Sequence, residues 1–200
     1  MSSADWDRRY TGSELLWSAQ PNRFLVAETA SLAPGRALDL ATGEGRNAVW
    51  LAEHGWHVTG VDFSAAGLEK ARQLAAARGV EAEWMQADLR DYRPQPRAFD
   101  LVIAFYLQLP EAERRPILRR AATTVAAGGA LLVVAHDRSN LEHGYGGPQH
   151  PAVLYTPGEV VRDLDGSGLA IERAEVLERP VQTAEGERVA LDLLVRARRT

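Results

Sequence analysis

Small and acidic residues follow the first apolar run of the sequence, in the order Asp39-Leu40-Ala41-Thr42-Gly43-Glu44-Gly45. Glycine at 43 and 45 lets the backbone turn sharply and lie against a ligand where a Cβ atom would collide. Asp62 follows 23 residues after Asp39, at the end of the next apolar run. A carboxylate there can accept hydrogen bonds from both hydroxyls of a ribose. This spacing predicts a site for a nucleotide-like ligand.

The glycine spacing by itself leaves two ligand classes open. Gly43-x-Gly45-x-x-Ala48 satisfies the dinucleotide fingerprint, and Asp62 stands where an NAD-preferring carboxylate would. Asp39 and Thr42, however, precede the first glycine, whereas a dinucleotide turn usually begins with glycine directly after the strand. Asp88 follows the third apolar run, where a carboxylate can accept from an adenine amino group. The chain also ends in two strand-like runs, whereas the plain dinucleotide fold continues with parallel strands.

The elements that must position these residues alternate between strand and helix patterns. Apolar runs predict strands over 36–41, 57–61, 80–86, 98–106 and 130–136. Helical spacing predicts helices over 46–54 and from Ser64 to Gly79, and Pro116 fits the first turn of another. Thr156-Pro157-Gly158-Glu159 is typical of a capping box that begins a further helix. The alternation predicts an α/β, doubly wound, mostly parallel sheet.

Two strand-like runs at 169–177 and 188–198, with a polar turn at 182–187, predict a C-terminal antiparallel hairpin. No repeat or linker interrupts the pattern. We therefore expect one domain over 1–200, with 1–35 as an N-terminal helical extension.

The amino-acid composition excludes several classes of function. The apolar share of 46% and the charged share of 25% are ordinary for a globular protein. A net charge of −4 gives no electrostatic reason for binding nucleic acid or an acidic membrane. The absence of cysteine excludes disulfides and thiolate nucleophiles. The chain has neither a signal-peptide pattern nor a spanning apolar run, so we expect a cytoplasmic monomer or homodimer.

Several segments together resemble one family. The stretch ALDLATGEGRNAVWLAEHGWHVTGVDFS is similar to the first two motifs of class I S-adenosylmethionine-dependent methyltransferases. WMQADL resembles their adenine-binding acidic motif, FDLVIAFYLQLP their fourth-strand motif, and AAGGALLVVAH the segment entering their fifth strand. Trp6-Asp7-Arg8-Arg9-Tyr10 and Trp17 resemble the N-terminal cap of small bacterial members related to tellurite and thiopurine methyltransferases. The resemblance implies a Rossmann-like sheet of strand order 3-2-1-4-5-7-6 and S-adenosylmethionine as cofactor, with S-adenosylhomocysteine as product.

The same resemblance implies a role for each matching residue. The residues expected to surround the methionine portion are Asp39, Ala41, Gly43, Gly45, Arg46 and Asn47. Asp62 is expected to bind the ribose, with Phe63 and Ser64 beside the adenine. Ala87, Asp88 and Leu89 are expected at the adenine amino edge, and Ala104 and Phe105 against the sulfonium. Trp17 and Tyr10 are expected to close over the bound cofactor.

The acceptor of the methyl group is less defined. The candidate catalytic residues are Tyr106, after the fourth strand, and His136, at the end of the fifth. A base is needed only if the acceptor arrives protonated. Further candidate bases or acceptor contacts are His143, His150 and Tyr155. They lie in or next to an aperiodic loop over 137–155, which we expect to shape the acceptor pocket together with the N-terminal extension. Three histidines near Asp137 also suggest a metal site, but without local ligand geometry we expect no metal. A small molecule is the expected partner.

Two other functions stay open. A nicotinamide-dependent oxidoreductase could use the same glycine turn, although Lys70, the single lysine, has no tyrosine four residues before it. A domain could also bind S-adenosylmethionine without catalysis and act as an interaction module.

Overall fold

The computed structural model describes residues 3–12, 15–16 and 18–200. The helices of the first half are α1 (Ser3–Tyr10), α2 (Arg23–Thr29), α3 (Arg46–Glu53) and α4 (Ala65–Arg78). Those of the second half are α5 (Glu111–Thr124), α6 (Asn140–His143) and α7 (Pro157–Asp163), with one 3₁₀ turn at Pro151–Val153. The strands are β1 (Arg36–Leu40), β2 (His57–Asp62), β3 (Glu83–Gln86), β4 (Phe99–Phe105), β5 (Val125–His136), β6 (Leu169–Thr183) and β7 (Gly186–Arg199).

Within the described residues, seven strands form one sheet in the order β3-β2-β1-β4-β5-β7-β6. β1 and β2 pair in parallel, as do β2 and β3. β7 runs antiparallel to both β5 and β6. The expected α/β class, the strand order and the terminal antiparallel hairpin are thereby confirmed. Two helices, α1 and α2, precede β1 in the expected N-terminal extension.

The chain divides into two compact units, the first comprising residues up to 93 with 99–103, and the second comprising 94–98 with 104–200. In the first unit the apolar side chains of β1 and β2 are buried, as are Leu51 of α3 and Leu68 of α4. In the second unit the core is formed by β5 and β7, which place Leu131 and Leu194 among other fully buried side chains. Each unit therefore has an apolar core of its own.

Local signals explain most of the element boundaries. Ser64 caps α4 through its Oγ, which accepts from the Gly67 amide at 3.1 Å, and Gly79 ends the helix in the left-handed conformation with φ 66°. Thr156 and Glu159 form the expected capping box at the start of α7. These local hydrogen bonds satisfy helix-end groups that would otherwise lack partners.

Some predicted boundaries are wrong. Pro116 does not begin its helix: α5 starts at Glu111, where an acidic first turn with Glu113 favours a helix N-terminus. β5 starts at Val125, five residues before the predicted start at 130, so it includes Gly128 and Gly129. β3 is shorter than expected, and both hairpin strands are longer: β6 continues to Thr183, with exposed and half-buried residues alternating after Leu177, and β7 begins at Gly186.

Among the described residues, none of the helices is both long enough and apolar enough to cross a membrane.

Candidate functional site

The turn after β1 holds three residues in the left-handed conformation: Ala41 with φ 61°, Gly43 with φ 56° and Gly45 with φ 78°. At Gly45, an added Cβ would lie 2.6 Å from the Ala71 Cβ and 2.9 Å from the Trp84 ring. Glycine at 45 is therefore required both by the backbone conformation and by the close approach of these two side chains.

Asp39 anchors this turn from inside. Its side chain is 1% exposed and accepts a hydrogen bond of 2.7 Å from Thr42 Oγ1. Burial raises the pKa of Asp39 to about 7, and the charge of Asp62 acts in the same direction. Thr42 and Arg46 oppose that rise. Asp39 is thus a buried carboxyl group that titrates near neutral pH.

Asp62 is the last residue of β2 and connects the turn after β1 to the start of α4. Its Oδ2 accepts from the Gly43 amide and its Oδ1 from the Ser64 amide, both at 2.9 Å. The residue is 5% exposed, and burial raises its pKa. A carboxylate has about four lone-pair sites, and the backbone amides of Gly43, Ser64 and Phe63 donate to Asp62. At least one acceptor site is therefore left for a hydroxyl group of a ligand.

Helix α1 packs on this region through Asp7. Ser64 Oγ donates to Asp7 Oδ1 at 2.5 Å, and the Ala66 amide donates to the same oxygen at 3.3 Å. Asp7 thus supplies an acidic group at the N-terminus of α4, where a negative charge is stabilising. Sequence reasoning did not assign this role, because Asp7 and Ser64 are 57 residues apart and no local pattern links them.

Tyr10, also on α1, lies over the turn. It is 6% exposed, and its hydroxyl is 2.9 Å from the point where a Cβ on Gly43 would stand. Its ring also lies against Gly67. Tyr10 is therefore placed beside the glycine turn, as expected for a covering residue, whereas Trp17 lies outside the described residues.

The residues that follow the turn are fixed by the N-terminal extension. Asn47 Oδ1 accepts from the Asn22 amide at 2.9 Å, and both residues are buried. Glu44 accepts from the Leu16 amide at 2.9 Å and from Lys70 Nζ at 3.1 Å. The single lysine of the chain therefore forms a largely buried ion pair with the turn. Arg46, expected near the methionine portion, is partly exposed.

The expected adenine side lies at the end of β3. The Ala87 amide donates to the Asp62 carbonyl oxygen at 2.9 Å, which brings the segment after β3 next to the end of β2. Asp88 binds the Arg90 guanidinium through both oxygens, at 3.0 and 2.6 Å, and this contact lowers the pKa of Asp88. Leu89 is buried and Phe63 is partly exposed. Asp88 is ionised and already has a partner.

The second unit contains a different cluster, centred on Asp192 of β7. Asp192 is fully buried and accepts on Oδ2 from the Tyr106 hydroxyl at 2.8 Å and from Arg179 Nε at 2.6 Å. His136 Nδ1 lies 3.1 Å from Asp192 Oδ1, and the Tyr106 and His136 rings are tilted with centroids 5.0 Å apart. Burial favours a raised pKa for Asp192, but the polar groups of His136, Arg179 and Tyr106 outweigh it and lower that pKa. The cluster brings together the two candidate catalytic residues.

Asp192 and Arg179 were not predicted as site residues. Ala104 and Phe105, which precede Tyr106, are buried, and Tyr106 itself has a left-handed backbone with φ 55°. A non-glycine residue in this conformation at a strand end is uncommon and is often associated with a functional site.

The remaining acceptor candidates differ in exposure. Tyr155 is fully buried, donates its hydroxyl proton to the Leu107 carbonyl at 2.9 Å, and has a pKa raised by burial. It is therefore a structural residue and not an accessible base. His143 and His150 are exposed. Over residues 3–12, 15–16 and 18–200, no group of three or more His, Asp or Glu side chains is arranged to hold a metal ion.

The sequence is similar to those of known methyltransferases. Residues 37–129 match the family model described as a methyltransferase domain. The chain is 32% identical over 111 residues to ribosomal RNA small subunit methyltransferase C of Alcanivorax borkumensis, covering 52% of this chain and 33% of that protein. It is 35% identical over 125 residues to demethylmenaquinone methyltransferase of Thermus thermophilus, covering 62% and 55%. The chain thus spans a third to about half of the length of these relatives.

The fold has close structural counterparts. A solved structure concerned with conversion of a disulfide bond into a thioacetal group during echinomycin biosynthesis superposes with a TM-score of 0.76 at 24% identity. The superposition covers 98% of this chain and 90% of that one. At this level of identity the likeness supports the fold.

Proposed function

Because the chain carries a methyltransferase domain of the class I S-adenosylmethionine-dependent family, we propose that it transfers a methyl group from S-adenosylmethionine to a small-molecule acceptor. The observation that best supports the proposal is the hydrogen bond from the Gly43 amide, in the glycine turn, to Asp62. Both units belong, in this proposal, to one domain over 1–200, because the methyltransferase match continues from one unit into the other.

The first unit fits the cofactor on physical grounds. Residues 41, 43 and 45 all have a left-handed backbone, and the methionine portion is proposed to lie beside this turn. Asp62 keeps acceptor capacity for a ribose hydroxyl, with Ser64 and Phe63 following it at the adenine. Asp88 would accept from the adenine amino group in exchange for one of its contacts with the exposed Arg90 side chain.

When bound, the cofactor supplies an electrophilic methyl group on a sulfonium. The work of the chain is then to orient that group and the acceptor and to exclude water, and orientation can contribute about 7–11 kcal/mol to lowering a barrier. Ala104 and Phe105 are buried and apolar, as suits residues proposed to lie against the sulfonium. Tyr106 and His136 are the proposed groups for handling the acceptor.

The acceptor is proposed to be a small molecule. Relatives carry names with unlike acceptors, ribosomal RNA and demethylmenaquinone, so the acceptor of either one is not transferable. With a net charge of −4, the chain has no excess of basic residues that would attract a polyanion such as nucleic acid. No described feature favours a nicotinamide enzyme or a non-catalytic module, and both are tested below.

The test is ligand-dependent unfolding with S-adenosylhomocysteine, S-adenosylmethionine and NAD in parallel. A ligand that binds the native state raises the unfolding temperature, so we expect a shift with the first two ligands alone. A shift with NAD alone would overturn the proposal. A methyl-transfer screen over phenols, thiols, amines and tellurite follows, and failure of every acceptor despite tight cofactor binding would favour the interaction module.

A further inference from the structure

Two buried polar atoms in the second unit face each other. His136 Nδ1 and Asp192 Oδ1 are 3.1 Å apart. Within the described part of the chain, neither atom takes part in a hydrogen bond of normal geometry, with its neighbour or with any other group. Buried polar atoms in folded proteins nearly always have a hydrogen-bond partner. We therefore expect a proton to lie between these two atoms.

We propose that Asp192 is a positioning residue that holds His136 with its proton on Nδ1, so that Nε2 accepts a proton from a hydroxyl-bearing methyl acceptor such as a phenol. This inference rests on the proposed function, and it assigns to His136 a base role and to the acceptor a chemical class.

The sheet register explains why Asp192 can do this. His136 of β5 and Asp192 of β7 are directly paired in the antiparallel ladder, and side chains at such a pair are immediate neighbours on one face. Arg179 lies two residues beyond Leu177, the partner of Asp192 on β6. The contact is therefore fixed by backbone pairing and does not depend on a flexible loop.

Oδ2 of the same carboxylate is already occupied. It accepts from both Tyr106 and Arg179, so the free capacity of Asp192 towards His136 is on Oδ1. Asp192 places a negative charge next to His136. Arg179, bound to the other oxygen of the same carboxylate, offsets that charge. The Tyr106 proton is committed to Asp192, which makes His136 the better base of the two candidate residues.

The opposite edge of the His136 ring faces Gly147. The side chain is 14% exposed although Nδ1 is buried. A Cβ at Gly147 would stand 2.8 Å from His136 Cδ2 and 3.0 Å from Nε2. Because residue 147 is glycine, no side chain of that residue covers Nε2.

The step balances without a further reactant. The acceptor O–H proton passes to His136 Nε2 while the oxygen forms a bond to the methyl carbon and the carbon–sulfur bond breaks. The electron pair of that bond stays on sulfur, which leaves as the neutral thioether of S-adenosylhomocysteine. The imidazolium that forms lies beside the Asp192 carboxylate, which stabilises its charge. A thiolate acceptor would need no such base, so the dyad favours acceptors that arrive protonated.

The experiment is long-range ¹H–¹⁵N NMR on protein with ¹⁵N-labelled histidine at pH 8.5, with the His136 signals assigned from His136→Gln. We expect wild-type His136 to be the Nδ1–H tautomer. Asp192→Ala removes the acceptor, so His136 should shift towards the Nε2–H tautomer that free histidine prefers. Asp137→Asn, which changes the neighbouring buried carboxyl group, is the matched control and should leave the tautomer unchanged.

The wild-type spectrum decides the proposal even if Asp192→Ala fails to fold. An Nε2–H tautomer or an imidazolium in the wild-type protein would overturn it, as would a folded Asp192→Ala variant with an unchanged tautomer. S-adenosylhomocysteine binding is measured on the same samples by calorimetry. Absent binding would count against the proposed function, whereas the tautomer reports on the dyad alone.

Discussion

The Gly43 amide donates a 2.9 Å hydrogen bond to Asp62 Oδ2, which ties the turn after β1 to the last residue of β2. The same carboxylate holds the Ser64 amide that precedes α4. One buried side chain therefore sets the relative positions of a glycine turn, a strand end and a helix start.

Replacement of Asp62 tests this arrangement. In Asp62→Asn the amide group presents a donor where two oxygens now accept, so at least one ribose bond is lost. Hydrogen bonds to charged groups contribute about 1.5–3 kcal/mol, so S-adenosylhomocysteine affinity should fall roughly 10- to 100-fold. Calorimetric titration measures the change, and Asp91→Asn, at an exposed carboxylate, should bind as the wild type does. Equal affinity of Asp62→Asn would contradict the ribose role.

Asp39 should make stability depend on pH. Its pKa is raised from 3.8 to about 7 in the folded state, so its contribution to stability is complete below about 4 and is lost as pH rises to about 7. Asp39→Asn cannot titrate. Its free energy of unfolding should therefore rise relative to wild type by at most ~4 kcal/mol between pH 4 and pH 8.

Urea unfolding of both proteins at several pH values measures that difference. Asp62, whose pKa is also raised, is present in both and largely cancels in the comparison. Parallel pH curves for wild type and Asp39→Asn would show that Asp39 does not titrate in this range.

Asp88 should determine recognition of the adenine amino group. We expect the wild type to bind S-adenosylhomocysteine more tightly than S-inosylhomocysteine, which has a carbonyl in place of that amino group. Asp88→Asn should reduce this preference by about tenfold, while Asp91→Asn should retain it. A preference that survives in Asp88→Asn would assign Asp88 to its ion pair with Arg90 alone.

The glycine pair at 146 and 147 offers a matched test of the contact with His136. Both residues have a left-handed backbone, with φ 71° and 76°, but a Cβ at Gly146 meets nothing within 4 Å. Gly146→Ala should cost about 1 kcal/mol from backbone conformation. Gly147→Ala should cost about 1–2 kcal/mol more because its methyl group meets the His136 ring.

Chemical denaturation of the two variants provides the comparison. Equal destabilisation would show that the segment moves freely away from His136. S-adenosylhomocysteine affinity should be unchanged in both, because the proposed cofactor residues 39–64 and 87–89 do not include this segment.

The parts of the fold that were predictable depend on local signals. Hydropathy located the strands around Asp39 and Asp62, and glycine marked the turn between them, since both signals are carried by neighbouring residues. Tyr106 and His136 could be chosen as candidates because Tyr106 directly follows one buried apolar strand and His136 ends another. The start of α5 was misplaced because Pro116 was given more weight than the acidic turn before it.

The contacts that sequence reasoning missed are long-range. Asp192 meets Tyr106 across 86 residues, and Asp7 meets Ser64 across 57. Neither pair lies in a recognisable motif, because strand register and helix docking bring them together. Asp192 in particular stands in an apolar strand, where a lone carboxylate has no partner visible in the sequence.

The antiparallel pairing of β5 with β7 has a consequence for how this protein can change. Side chains alternate between the two faces of a strand, so inserting or deleting a single residue in β7 would turn Asp192 to the opposite face. The hydrophobic ladder could re-form around such a slip only by burying a different set of residues. A shift of two residues would keep Asp192 on the same face but would move it away from His136, so the contact between these two side chains exists in a single register of β7.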